Sequence, residues 1–60
     1  MKTTKAEILK KMNNRHGINI NDYFAMLLWL RKSAERCERK GYIEQANEYR
    51  EDYNEVLKAE

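Results

Sequence analysis

An apolar run at residues 23–30, YFAMLLWL, constrains the fold more than any other feature, because its eight residues carry no charge and no amide. It continues into residues 31–40, which are rich in helix formers and lack Pro and Gly until position 41. We therefore predict that the apolar run forms the first half of a long helix. A segment that is apolar all round must be covered on more than one side, so it should lie at the centre of the fold.

The length of the chain limits how it can be stabilised. Sixty residues make at most one domain, at a size where burial is marginal without a disulfide, a metal or oligomerisation. Cys37 is the single cysteine and cannot close an internal disulfide. Together with His16, the one histidine, it falls two ligands short of a tetrahedral zinc site. We expect no metal and no cofactor, and self-association or tight helix packing instead.

The first residues, MKTTK, lead into no hydrophobic signal region. The apolar run is also far shorter than the roughly 20 residues that a membrane span needs. We expect a cytoplasmic protein with no membrane association. A hydrophobic fraction of 42% beside 37% charged residues, without proline, is typical of a folded helical protein.

One domain over 1–60 is predicted, and its first helix covers about 4–16. Thr4 with Glu7 three residues later has the spacing of a capping box. Gly17 should end this helix, because glycine takes the left-handed conformation at lowest cost. With few apolar residues, such a short helix must dock on the rest of the chain.

The second helix is predicted over about 20–40 and the third over about 42–58. Asn19 or Asn21 is the expected cap of the second helix, and Gly41 should separate it from the third. Both helices carry small and apolar residues at the steps of a heptad seam. One antiparallel register pairs Cys37 with Ala46, Ala34 with Tyr49, Leu30 with Tyr53 and Leu27 with Val56.

The predicted fold class is all-α, a short N-terminal helix plus a long antiparallel helical hairpin. The seam leaves four residues of the apolar run uncovered, and the first helix has few apolar residues to cover them. Either a three-helix bundle or a dimeric four-helix-type bundle would solve this, and we favour a homodimer. The four residues are Phe24, Met26, Leu28 and Trp29.

No catalytic residue is predicted. Cys37 and His16 are the only candidates for a nucleophile and a base. Cys37 lies on the seam, where a thiol is buried and inert, and His16 is placed to cap the end of the first helix. The chain also has no Gly-rich phosphate loop. We therefore expect that it is not an enzyme.

The favoured function is a small protein-protein interaction module, an accessory factor or inhibitor that occupies a surface of a larger protein. The expected contact surface combines the uncovered apolar side chains with neighbouring cations, since aromatic residues and arginines are common binding anchors. It consists of Phe24, Leu28, Trp29, Lys32, Arg36 and Arg39.

Charge patterning suggests two alternatives. Residues 1–20 carry five basic side chains and one acid, whereas residues 41–60 carry two basic side chains and six acids. The basic clusters suggest a nucleic-acid-binding regulatory protein that uses Lys10, Lys11, Arg15, His16, Arg31, Lys32 and Lys40. The acidic cluster suggests a mimic of nucleic acid on the third helix, formed by Glu44, Glu48, Glu51, Asp52 and Glu55.

Overall fold

Three α-helices form the fold of residues 2–60, the part of the chain that the computed structural model describes. The Tyr23 hydroxyl at the start of the second helix donates to the Val56 main-chain oxygen near the end of the third, over 3.2 Å. The second and third helices therefore run antiparallel and pack closely. The predicted all-α class, with a long hairpin, is confirmed. The helices are α1 (Lys5–His16), α2 (Tyr23–Arg39) and α3 (Ile43–Leu57).

Local capping sets the bounds of α1 as the sequence predicts. The Glu7 main-chain N–H donates to Thr4 Oγ1 over 3.2 Å, and the Thr4 hydroxyl donates to the Glu7 carboxylate over 3.0 Å. Gly17 ends α1 in the left-handed conformation, with φ of 64°. The Ile18 N–H then donates back to the Asn13 main-chain oxygen over 3.0 Å, which closes the turn.

The start of α2 differs from the prediction. Its N-cap is Asp22, whose carboxylate accepts from the Ala25 N–H over 2.8 Å, and neither Asn19 nor Asn21 is the cap. The reason is tertiary. The Asn13 side chain on α1 accepts from the Ile20 N–H over 2.8 Å and donates to the Ile20 carbonyl over 2.9 Å. The connection is thus held outside a helix, and α2 begins at Tyr23 instead of near residue 20.

A tight turn at Gly41 connects α2 to α3. Gly41 has a φ of 82°, and the Tyr42 N–H donates to the Cys37 carbonyl over 2.8 Å. Glycine is favoured here because an L side chain rarely adopts this left-handed backbone. The turn brings α3 back along α2, as the heptad seams predict.

The core combines side chains of all three helices and of the segment after α3. Met26 of the apolar run is completely buried, whereas Phe24 is 74% exposed and Leu28 is 48% exposed. Helix α1 therefore covers part of the surplus apolar surface and leaves the rest to solvent. The buried core residues are Ile8, Met12, Met26, Leu27, Leu30, Val56 and Ala59. Within residues 2–60, no helix combines the length and apolarity that crossing a bilayer requires.

Candidate functional site

One side of α2 faces solvent along its whole length. Five of the six predicted contact residues lie there, and we call them the outer face of α2: Phe24, Leu28, Lys32, Arg36 and Arg39. These positions recur at three- and four-residue steps, which place side chains on one side of a helix. The seam residues on the opposite side, Leu27, Leu30 and Ala34, are buried.

The outer face of α2 is divided along the helix axis. Phe24 and Leu28 form its apolar end, one turn apart. Lys32, Arg36 and Arg39 form its basic end, where they line a shallow cleft of about 240 Å³ with Glu35. None of these three cations forms an ion pair within residues 2–60. Glu35 is engaged by the Arg31 guanidinium at 3.1 Å, so the basic end keeps a surplus of positive charge.

Trp29, the sixth predicted contact residue, lies away from this surface. Its ring centroid is 5.2 Å from that of His16 and 5.7 Å from that of Tyr49, and it packs against the core. Trp29 lies on the side of α2 that faces the end of α1, where His16 contacts its ring. The prediction that Trp29 lies with the exposed contact residues is therefore wrong, because its ring packs against the end of α1 instead.

The basic cluster predicted on α1 is largely engaged inside the molecule. Asp52 on α3 accepts from Arg15 Nη1 at 2.5 Å, and its other oxygen lies 2.7 Å from His16 Nε2. His16 also stacks on Tyr49, with ring centroids 5.3 Å apart. Lys10 remains exposed on α1. Helix α1 therefore does not present four free basic groups, because α3 supplies carboxylates to Lys11, Arg15 and His16.

A second ion pair joins the same two helices. Lys11 Nζ lies 2.5 Å from Glu55 Oε1, and Arg15 Nη1 lies 3.5 Å from Glu55 Oε2. The hydrogen bond from Lys11 lowers the pKa of the Glu55 carboxyl below its ordinary 4.5. Partial burial opposes this effect, but the positive charges of Lys11 and Arg15 add to that hydrogen bond, and together they keep the pKa lowered.

The predicted acidic face on α3 is interrupted by these contacts. Asp52 is only 6% exposed, and Glu55 is half-buried and paired. Glu44, Glu48 and Glu51 remain exposed. The five acids therefore do not present one continuous solvent-facing surface, and the expectation that Asp52 belongs to such a surface is corrected.

Sequence reasoning missed the role of Asp52 as the acceptor that holds α1. One signal was available: Asp52 follows Tyr49 by three residues and precedes Val56 by four, and both are seam residues. On a helix these spacings place Asp52 next to the seam. An acid beside a buried seam requires a partner, and the basic residues at the end of α1 were one possible source.

The paired Glu55 predicts how acid destabilises the fold. A carboxyl with a lower pKa in the folded chain than in the unfolded chain stabilises the fold above its ordinary pKa. That contribution is lost as the pH falls through the folded value. We expect the free energy of unfolding of the wild type to decrease as the pH falls below about 4.5. Glu55→Gln should lose less free energy of unfolding over the same pH interval. Urea denaturation across this pH range measures the difference.

The matched control for Glu55 is Glu44→Gln, at an exposed acid near the start of α3 that forms no ion pair within residues 2–60. This variant should keep the wild-type fall in stability. An identical acid response in wild type and Glu55→Gln would contradict the pairing.

Residues 2–60 bring together no cluster of three or more His, Cys, Asp or Glu side chains that could hold a metal ion. Cys37 is a half-buried free thiol on α2. Neither protein-family models nor curated proteins nor solved structures give a match to this chain.

Proposed function

We propose that this protein is a small, non-enzymatic, intracellular interaction module that binds a larger protein through the outer face of α2. It acts as an accessory factor or inhibitor by occupying a surface of that protein. The observation that carries the proposal is the exposure of Phe24, at 74%, one turn from Leu28, at 48%. Both belong to the most apolar run of the sequence, whose other large side chains are buried or partly buried.

Energetics support a binding role for this pair. Burying a Phe or Leu side chain contributes about 1.5 to 3 kcal/mol, and the fold forgoes much of this gain at Phe24 and Leu28. Cationic side chains follow the pair along α2, and aromatic residues with arginines are typical anchors of protein interfaces. The outer face of α2 combines both.

The two alternative functions have less support. Nucleic-acid binding through α1 and α2 would use Lys11, Arg15 and His16, which are engaged by carboxylates of α3. On α2, Arg31 is paired with Glu35. The exposed members of this set that form no ion pair within residues 2–60 are Lys10, Lys32 and Lys40. Mimicry of nucleic acid through α3 would use Asp52, which is buried, and Glu55, which is paired. Neither set as a whole is as free of ion pairs as the basic end of α2, which shares only Lys32 with the nucleic-acid set.

Self-association has a smaller basis than the sequence suggests. Met26 is completely buried and Trp29 is packed against His16 and Tyr49. Of the four surplus apolar residues, only Phe24 and Leu28 remain exposed. The homodimer therefore stays a prediction, to be tested by light scattering over a range of protein concentrations.

The proposed function predicts that Phe24→Ser/Leu28→Ser loses partner binding without losing its fold. Capture of partner proteins from the source cell should fall about tenfold or more, because two anchors are removed. The thermal midpoint should stay near that of wild type, since both side chains are exposed. Quantitative pull-down and circular dichroism give the two readouts.

A matched control removes the same number of exposed apolar side chains at the opposite end of the hairpin. Tyr42 is 54% exposed and Ile43 is 57% exposed, both beside the Gly41 turn. Tyr42→Ser/Ile43→Ser should retain capture. Loss of capture in this control but not in Phe24→Ser/Leu28→Ser would overturn the assignment of the outer face of α2.

A further inference from the structure

The order of chemistry along α2 restricts what can bind there. Phe24 and Leu28 occupy the first two turns, and the cations follow toward the C-terminal end. With a rise of about 1.5 Å per residue, Lys32 lies about 6 Å beyond Leu28, and Arg39 about 16 Å beyond it. A partner that covers the whole outer face must therefore be apolar at one end and negatively charged at the other.

The basic end favours carboxylates. Arg36 and Arg39 present guanidinium groups, which pair with carboxylates through two parallel hydrogen bonds. Lys32 adds a third charge to the same cleft, and Glu35 is already engaged by Arg31. Carboxylates brought by a partner would meet three cations that form no ion pair within residues 2–60.

The apolar end disfavours a phosphate-bearing surface. The exposed carboxylate of Asp22 caps α2 directly before Tyr23 and Phe24. A nucleic-acid strand or an anionic lipid surface laid along the outer face would bring phosphates toward this carboxylate. Only Phe24 at this end offers a ring on which a base could stack, because Leu28 has no aromatic face. A polypeptide can instead match each end with a different side chain.

We infer that the outer face of α2 binds an acidic amphipathic helix of a partner protein. The apolar side chains of that helix cover Phe24 and Leu28, and its carboxylates pair with Lys32, Arg36 and Arg39. A helix suits this surface because its own side chains repeat at three- and four-residue steps and lie along an axis of comparable length. This inference rests on the proposed function and adds the chemical class of the partner.

A pair of synthetic helical peptides tests the inference. The acidic probe carries two Leu residues four positions apart, which is the spacing of Phe24 and Leu28. Three Glu residues follow the second Leu at the spacings that separate Lys32, Arg36 and Arg39 from Leu28. The matched probe carries Lys in place of Glu. By fluorescence anisotropy at low ionic strength, the acidic probe should bind about tenfold tighter or better than its match. Added salt should shrink this difference.

Charge reversal in the protein provides the decisive comparison. Lys32→Glu/Arg36→Glu/Arg39→Glu should invert the preference, so that the basic probe binds tighter. The control variant, Lys2→Glu/Lys10→Glu/Lys58→Glu, changes the net charge equally at exposed sites outside the outer face of α2. It should keep the preference for the acidic probe. Circular dichroism verifies that both variants remain helical.

Several results would overturn the inference. The inference is wrong if the acidic probe does not bind or if both probes bind with equal affinity. It is also wrong if the preference for the acidic probe is unchanged after charge reversal on α2. Tighter binding to phosphatidylserine vesicles or to single-stranded DNA would identify a phosphate-bearing ligand instead. A dimer in solution that Phe24→Ser/Leu28→Ser dissociates would make a second copy of the chain the occupant.

Failure of the inference can be told apart from failure of the proposed function. If Phe24→Ser/Leu28→Ser abolishes binding of both peptides while charge reversal has no effect, the interaction surface stands and the acidic partner is wrong. If neither variant changes peptide binding or partner capture, both are wrong.

Discussion

Asp52→Ala is expected to lower the free energy of unfolding by about 2 to 3 kcal/mol. Asp52 is 6% exposed and is the shared acceptor for Arg15 and His16. Its removal leaves His16 without its carboxylate partner at the junction of α1 and α3, and leaves Arg15 with only its longer contact to Glu55, at 3.5 Å. The loss is below the value for a fully buried pair, because the Arg15 side chain is 40% exposed and can reach water.

For a domain of this size, 1 kcal/mol corresponds to about 4 to 8 °C in the thermal midpoint. Asp52→Ala should therefore lower the midpoint by about 10 °C or more. Circular dichroism during thermal unfolding measures this change.

Two matched variants isolate the cause of the Asp52 effect. Glu51→Ala removes a neighbouring carboxylate that is exposed, and it should change stability by less than about 0.5 kcal/mol. Asp52→Asn keeps an acceptor oxygen but no charge, so its loss should lie between those of Glu51→Ala and Asp52→Ala. Wild-type stability in Asp52→Ala would contradict a structural role for this carboxylate.

Trp29→Ala is the second variant with a large expected effect. The indole packs against the core and contacts both His16 at the end of α1 and Tyr49 on α3. Replacing a core Trp with Ala costs about 3 to 5 kcal/mol, and partial exposure of Trp29 brings the expected loss to about 2 to 3 kcal/mol. Guanidinium denaturation, followed by circular dichroism because the only Trp is removed, measures this loss.

Phe24→Ala is the matched control for Trp29, because it removes an aromatic ring from the same helix five residues earlier. Phe24 is 74% exposed, so the free energy of unfolding should change by less than about 0.5 kcal/mol. A stable Trp29→Ala beside a destabilised Phe24→Ala would reverse the assignments of core and surface within the apolar run.

Comparing variants of Asp52 and Trp29 with variants of Phe24 and Leu28 separates folding from binding. Asp52 and Trp29 hold α1 on the hairpin, whereas Phe24 and Leu28 contribute little to the fold and are proposed to bind a partner. Variants of the first pair should lose capture only to the extent that they unfold. Variants of the second pair should lose capture while they remain folded.

Local patterns in the sequence were sufficient for the helices and most of their ends. Thr4 with Glu7 predicted the start of α1, and Gly17 and Gly41 predicted the two turns. These features depend on hydrogen bonds within a few residues and on the conformational freedom of glycine, so neighbours in sequence decide them. The hairpin was predictable as well, because the heptad spacing on α2 and α3 specifies which sides of the two helices meet.

The division of the apolar run into core and surface was decided only by the tertiary structure. Periodicity placed Phe24, Met26, Leu28 and Trp29 together off the seam, and it could not tell where α1 would lie. That position depends on contacts between residues distant in sequence: Asn13 holding the connection to α2, and Asp52 accepting from the end of α1.

Charge was the property that the sequence left most open. The first third of the sequence is basic and the last third is acidic. The sequence does not specify whether each charged side chain faces solvent, a partner or the oppositely charged third of the chain. Folding joined Lys11 and Arg15 with Glu55 and Asp52, and it left the cations at the end of α2 free of ion pairs within residues 2–60. The sequence by itself therefore determined the helices, most of their ends and the hairpin, whereas the cap of α2 depended on tertiary contacts. Only the tertiary structure decided which charges and which apolar side chains remain available, because that depends on packing between helices far apart in the chain.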